Sequence, residues 1–426
     1  MGTSKFHKFT TSYVMVYNRG YQDRGDVESA VTTKVKGVAY SNFSDDQLHV
    51  PDAYKPMYRR IWDVADQVIP ASENNAFFVA TNVIITPNQT IGLCPEVRVS
   101  TISEHSVTID THALPEVLYR LAPVSLWDDP AVPGAICDDD PYSCPIGEPF
   151  LLGNGVRTGR CSNETEGNPR TCEIHAWCPV EVNNMPLLVA FFILGDGLAL
   201  LEGVQNYTVL LKNFIAFPKF GEEYRRRNIL DSYTKEQLNS CHFDPKNDSY
   251  CPIFTLGTII QEAGISNFTD IAISGGVVAI EISWDCNLDR DFKSHCLPKY
   301  EFRRLDDPNA KVAPGWNFRY AQYYRDDVRT LFKVFGIKFV VNVYGEARKF
   351  SIIPTLLNIG SGLALLGLAE VVCDLVVLYI FSKGPVYREA KYQVVHGEDA
   401  YKVSEGEEEE EVGRRDNRSY RTFRDS

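Results

Sequence analysis

Ten of the eleven cysteines lie between positions 94 and 296, in polar, loop-rich surroundings: Cys94, Cys137, Cys144, Cys161, Cys172, Cys178, Cys241, Cys251, Cys286 and Cys296. An even set of this size constrains the fold more than any other feature. Paired thiols need an oxidising compartment, and the segments they join must lie within bonding reach of each other. No C-x-x-C pair occurs, and the histidines do not stand at zinc-finger offsets, which argues against a metal framework. Cys241/Cys251 and Cys286/Cys296 share one spacing, as two small closed loops would. The set reads as five disulfides, with Cys373 left over in an apolar run. N-glycosylation sequons begin at Asn42, Asn88, Asn163, Asn206, Asn247 and Asn267, over much the same span, and imply a glycosylated surface.

Hydrophobic residues make up 44% of the 426, enough for a substantial core, and the net charge of −13 argues against nucleic acid as a partner. From Tyr21 to about Phe350 the pattern is of short β-branched and aromatic runs bounded by Gly, Pro, Asn and Asp. Examples are "SAVTTKVKGVAY", "NAFFVATNVIIT", "NYTVLLKNFIAF", "ISGGVVAIEISW" and "GIKFVVNVYG". "TLGTIIQEAG" is the best helical stretch, and "GNGVRTG" reads as a turn among the disulfides. The expected fold class is a membrane protein: a β-rich, disulfide-stapled extracellular domain followed by a C-terminal transmembrane α-helix.

That helix is expected within Leu356–Phe381, a run of 26 residues broken only by Asn358, Glu370, Asp374 and small residues. Lys383, Arg388 and Lys391 follow it and favour a cytoplasmic C-terminus. Met185–Gly203 is also apolar, but its core is too short for a span and holds Asp196. Glu405–Glu411 is an acidic run in a solvated tail.

Lys34 and Lys36 are two apart on an expected strand and so share a face; Thr208 and Leu210, and Asn317 and Arg319, do the same. Lys333 lies on the next strand. Brought together, these residues offer four cations, an amide, a hydroxyl and an apolar platform, which suits a nucleoside triphosphate. No Gly-x-x-x-x-Gly-Lys loop is present, so the site is not a P-loop. Taken alone, a Lys-x-Lys pair also describes a solvated strand face.

"VTTKVKGVAY", "RIWDVADQVIP", "TCEIHAWCPVE", "NYTVLLKNFIAFPKF", "CPIFTLG", "GWNFRYAQYYRD", "IIPTLLNIGSGLALLG" and "VYREAKY" resemble the P2X purinoceptors, ATP-gated trimeric cation channels, with a flavour nearest to subtype five. The resemblance implies a β-sandwich body, and ATP held between subunits by Lys34, Lys36, Thr208 and Leu210 of one and Asn317, Arg319 and Lys333 of its neighbour. It implies the pairs Cys94–Cys178, Cys137–Cys161, Cys144–Cys172, Cys241–Cys251 and Cys286–Cys296. Leu357, Ser361 and Ala364 match the family's gate, and Tyr387 and Lys391 its Tyr-x-x-x-Lys surface-retention motif. The partners implied are extracellular ATP, family subunits in a homo- or heterotrimer, membrane lipid, and Na+, K+ and Ca2+ as permeant ions. No cofactor beyond the ligand ATP is implied, and the plasma membrane is the expected location.

The chain departs from the family in several blocks. Residues 1–19 resemble the cytoplasmic N-terminus, with Thr10 matching a Thr-x-Lys motif and Ser12 in place of its lysine. Residues 20–350 correspond to the extracellular ATP-binding domain, 351–381 to the pore helix and 382–426 to the cytoplasmic tail. The family's first membrane helix is missing between "FHKFTTSYV" and "RGYQD", and its absence implies retention or mislocalisation. "QLHVPDAYKPMY" and the stretch from about Arg98 to Val132 look inserted, and Met185–Gly203 replaces a polar segment. "YYRDDVRT" is a few residues short and tightens the loop between Arg319 and Lys333. Two functions follow: an ATP-gated channel subunit, or a truncated, non-conducting subunit that modulates intact ones. An ATP-hydrolysing ectoenzyme is disfavoured, since no acidic cluster stands beside the basic pairs to hold a metal or activate water.

Overall fold

The computed structural model describes residues 19–96, 135–137, 143–147, 149, 153–162, 170–181, 185–187, 199–310, 313–381 and 384–391. Side chains are not described for residues 362–370 and 389–391. The chain divides into two compact units, Arg24–Lys349 and a second made of residues 1–23 and 350–426.

Among the described residues, the larger unit is built on fourteen strands, the first and last of which overrun its boundaries: β1 (Gln22–Asp26), β2 (Glu28–Lys36), β3 (Val38–Tyr40), β4 (Ile61–Asp63), β5 (Ala76–Pro95), β6 (Gly155–Cys161), β7 (Cys172–Cys178), β8 (Thr208–Ala216), β9 (Arg225–Arg227), β10 (Ile253–Thr255), β11 (Gly276–Asn287), β12 (Pro298–Arg304), β13 (Asn317–Arg325) and β14 (Val328–Phe350). An eight-stranded sheet runs β12-β11-β14-β5-β7-β6, with β1 and β13 also paired to β14. A second sheet runs β10-β8-β2 with β9 on β8, and β3 and β4 form a ribbon. The helix expected in "TLGTIIQEAG" is Leu256–Glu262, capped by the Thr255 side chain, which accepts from the Thr258 N–H. "GNGVRTG" is not a turn as a whole. Only its first residues bend, and the rest enters β6, paired with β7 through Gly155↔Ala176 and Arg157↔Ile174.

One apolar core joins the two sheets. β8 contributes Val209, Leu211 and Ile215, β11 contributes Ile280, Ile282 and Trp284, and β14 contributes Ile337, Phe339 and Val341. The period-two alternation of β8 and β11 follows from a sheet with one face on the core. Polar groups inside this core are matched to one another. Trp284 Nε1 donates to Asn213 Oδ1 at 2.8 Å, and Asn228 Nδ2 donates to the Leu211 carbonyl and to the Tyr300 hydroxyl at 2.8 and 2.9 Å.

Five disulfides close the unit: Cys94–Cys178, Cys137–Cys161, Cys144–Cys172, Cys241–Cys251 and Cys286–Cys296, the pairing implied by the resemblance. Sulfurs of Cys137, Cys144 and Cys172 crowd within 4.8 Å of one another. Each is already bonded to sulfur, so the cluster offers no thiolate to a metal.

In the smaller unit, a helix runs from Ile352 to Leu375. Ser351 makes no side-chain cap; its N–H donates to the Tyr21 carbonyl at 3.1 Å, and Asn358 Nδ2 donates to the Gly20 carbonyl at 2.6 Å. The first turn is thus tied to residues 20–21. Its 24 residues, at about 1.5 Å each, span about 36 Å. Among the described residues alone, no helix is long and apolar enough to cross a membrane. Cys373 is exposed and unpaired in a disulfide, and Asp374 is half-buried. A short helix, Gly384–Lys391, carries an exposed Tyr387.

Candidate functional site

Strand β2 lies antiparallel to β8 with Lys34 opposite Leu210 and Lys36 opposite Thr208. Directly opposed residues share a face, with Cβ atoms about 5 Å apart. Val35, between the lysines, is 8% exposed, and Val209, between Thr208 and Leu210, is fully buried. The four candidate residues therefore form one compact outward patch, with both lysines exposed and Thr208 and Leu210 half-buried. Two positive charges, a hydroxyl and an apolar platform meet there through strand alternation alone.

Two neighbours fix the patch. Tyr207 is 1% exposed, and its hydroxyl donates to the Trp62 carbonyl at 3.1 Å and also meets Gln67 Oε1. Burial pushes its pKa up to about 12. Gly37 follows Lys36, and a Cβ there would stand 2.2 Å from the Tyr207 ring. The Lys-x-Lys-Gly pattern thus ends in glycine because the ring anchoring Thr208 lies against the backbone of the lysine strand.

The remaining candidates sit on the other sheet. The turn between β13 and β14 is short, as "YYRDDVRT" requires, and it sets Arg319 opposite Lys333 and Asn317 opposite Phe335. Arg319 is bound bidentately by Glu181, with Nε and Nη2 donating over 2.9–3.1 Å. The Glu181 side chain is 6% exposed and that of Arg319 44%. Lys333 departs from the sequence expectation: it is only 2% exposed, with Nζ 5.3 Å from the Phe335 ring. The four cations do not converge on one surface of one sheet. They form two half-sets, Lys34 and Lys36 on the smaller sheet and Arg319 and Lys333 on the larger.

Glu181 carries no signal in the sequence. It lies 138 positions from Arg319, so no local spacing announces the pair. The sequons at Asn42, Asn88, Asn206, Asn247 and Asn267 are all exposed; Asn163 lies outside the described residues. Asn88 has φ 53° at a β-bulge, where Pro87 and Asn88 stand opposite the single residue Thr330. Leu357 is 67% exposed and Ser361 is exposed on the same helix, while the side chains of Ala364 and Lys391 lie outside the described residues.

Residues 6–112 and 125–394 match the family model described as ATP P2X receptor. The chain is 43% identical to mouse P2X purinoceptor 4 over 393 residues, covering 91% of this chain and 86% of that protein. It is 42% identical to human P2X purinoceptor 5 over 402 residues, covering 93% and 77%. A Gulf Coast tick P2X receptor, crystallised in the presence of ATP and Zn2+, superposes with a TM-score of 0.74 at 42% identity, covering 88% of this chain and all of that one. The chicken ATP-gated P2X7 receptor channel with the competitive antagonist TNP-ATP superposes with a TM-score of 0.65 at 32% identity, covering 87% and 96%. A basic strand pair joined to Thr208 and Leu210, an Asn-Phe-Arg strand and five disulfides on this sandwich agree with a family match over nearly the whole length, and the chain belongs to the ATP P2X receptor family.

Proposed function

We propose that this chain is a subunit of an ATP-gated, non-selective cation channel in the plasma membrane, assembling as a trimer with copies of itself or with family subunits. The observation that carries the reading is the outward patch of Lys34, Lys36, Thr208 and Leu210 on β2 and β8. Its two ammonium groups suit a polyphosphate, and its hydroxyl and apolar side chain suit the base and sugar. Asn317, Arg319 and Lys333 belong to a different sheet, which favours a site completed by a neighbouring subunit. ATP phosphate competes with Glu181 for Arg319, so binding exchanges an internal ion pair for a ligand contact. Leu357, Ser361 and Ala364 line the pore, through which Na+, K+ and Ca2+ pass, and Tyr387 and Lys391 hold the assembled channel at the surface. The five disulfides and the six glycans belong to the extracellular side. The chain performs no chemistry on ATP.

A second reading, a non-conducting subunit that modulates intact partners, is favoured by one observation: no apolar stretch separates Tyr17 from Arg19. The two readings part in whole-cell recording with ATP. This chain is compared with one carrying an apolar helix grafted between Asn18 and Arg19, and current from the grafted chain alone selects the modulator. The site is tested by displacement of a fluorescent ATP analogue. Lys34→Ala and Lys36→Ala are each expected to weaken ATP about tenfold or more, the scale of a charge-assisted contact. Unchanged affinity in both variants would remove the assigned site.

A further inference from the structure

Gln89 lies in the middle of the Asn88-Gln89-Thr90 sequon, and the bulge that turns Asn88 outward turns Gln89 inward. It is 2% exposed. Both ends of its amide are used. Its Oε1 accepts from Arg329 Nε at 2.8 Å, and its Nε2 donates to the Pro179 carbonyl at 2.8 Å. Arg329 is the second residue of β14, and its guanidinium also lies 4.3 Å over the Trp177 ring of β7. Pro179 follows β7 directly, and two residues on is Glu181, which grips Arg319.

We propose that Gln89 is a positioning residue for ligand recognition: by bridging the Arg329 guanidinium and the Pro179 carbonyl, it holds the 178–181 segment so that Glu181 keeps Arg319. The β13 strand carrying Arg319 is paired to β14, and the segment carrying Glu181 is tied to the same β14 through Gln89. The acid and the base are therefore referenced to one strand. Releasing the amide frees one partner of a bidentate pair without touching either charge. The consequence for ATP rests on the proposed role of Arg319; the consequence for the ion pair does not.

Two readouts on the full chain separate these. The first is labelling of Arg319 by phenylglyoxal, mapped by mass spectrometry, with Arg304 on β12, whose side chain is 18% exposed and held by Asp306, as the reference for global unfolding. Gln89→Met keeps the sequon and the side-chain length but loses both hydrogen bonds. Gln89→Glu, measured in parallel, keeps the acceptor for Arg329 and sets a carboxylate against the Pro179 carbonyl. Both variants are expected to raise Arg319 labelling about threefold to tenfold, the scale of one net hydrogen bond, as does Glu181→Gln, with Arg304 unchanged. The second readout is displacement of a fluorescent ATP analogue. Gln89→Met is expected to tighten ATP by a similar factor, and to add nothing in a Glu181→Gln background. Arg319 labelling that stays at the wild-type rate in both Gln89 variants, or that rises only together with Arg304, overturns the proposal, as do additive effects on ATP. A wild-type chain that displaces no analogue, while Arg319 labelling still follows Gln89, overturns the ATP reading and leaves the positioning role standing.

Discussion

At the scale of single residues, the patch on β2 and β8 depends on a side chain that is absent. Any Cβ at position 37 would run into the Tyr207 ring, which is held from below by Trp62 and Gln67. Gly37→Ala is expected to push the ring and the adjoining Thr208 out of place. ATP affinity should then fall about tenfold by analogue displacement, although every charge is retained. A drop confined to charge-removing variants would refute this account. Tyr207 and Tyr58, both 1% exposed, also predict the alkaline limit of the fold. Burial is the first cause of each shift and raises both phenols from an ordinary value of 10.0 to about 12. The folded state thus prefers the neutral phenol. Its contribution to stability is complete below pH 10 and is lost as pH climbs from 10 to 12. Absorbance titration at alkaline pH should show these two phenols ionising late, together with loss of the native circular dichroism. Early, non-cooperative ionisation of all tyrosines would contradict it.

At the scale of elements, the segment "QLHVPDAYKPMY" looks like an insertion yet is built into the core. The Tyr58 hydroxyl accepts the Ile85 N–H of β5 at 2.8 Å, and Ser41 Oγ donates to the Tyr58 carbonyl at 2.5 Å. Leu48, 3% exposed, bridges to Leu187, and the His49 N–H donates to the Pro186 carbonyl at 2.9 Å. Leu187 and Pro186 belong to the apolar stretch Met185–Gly203, in which Ala199 to Leu201 are again buried. The two stretches thus pack on each other and on one strand. Tyr58→Phe removes the acceptor of a buried N–H and is expected to cost about 1–3 kcal/mol. A melting temperature within a degree of wild type would show that the segment is a passive insertion.

At the scale of the molecule, the disulfides are unequal. Cys94–Cys178 closes 84 residues and Cys241–Cys251 only 10. On chain-entropy grounds, losing the first costs about 4–5 kcal/mol and losing the second about 3. Denaturant titration of the paired serine variants should preserve that order, and non-reducing mass mapping should return five pairs with Cys373 free. The sequence by itself determined the oxidising compartment, the strand-rich body and the shared face of Lys34 with Lys36, because cysteine count, composition and period-two alternation are local properties. It also showed Arg319 and Asn317 on one side of a strand. Only the tertiary structure decided the rest. Sheet register set Lys36 beside Thr208. Burial withdrew Lys333 from the surface, and it tied Gln89, in the middle of a sequon, to Arg329, 240 positions away. Glu181 reached Arg319 through a segment whose place is fixed by neighbours on other strands. Such contacts join residues remote in the chain, and their energy exists only once the core has brought those strands together, so no local pattern encodes them.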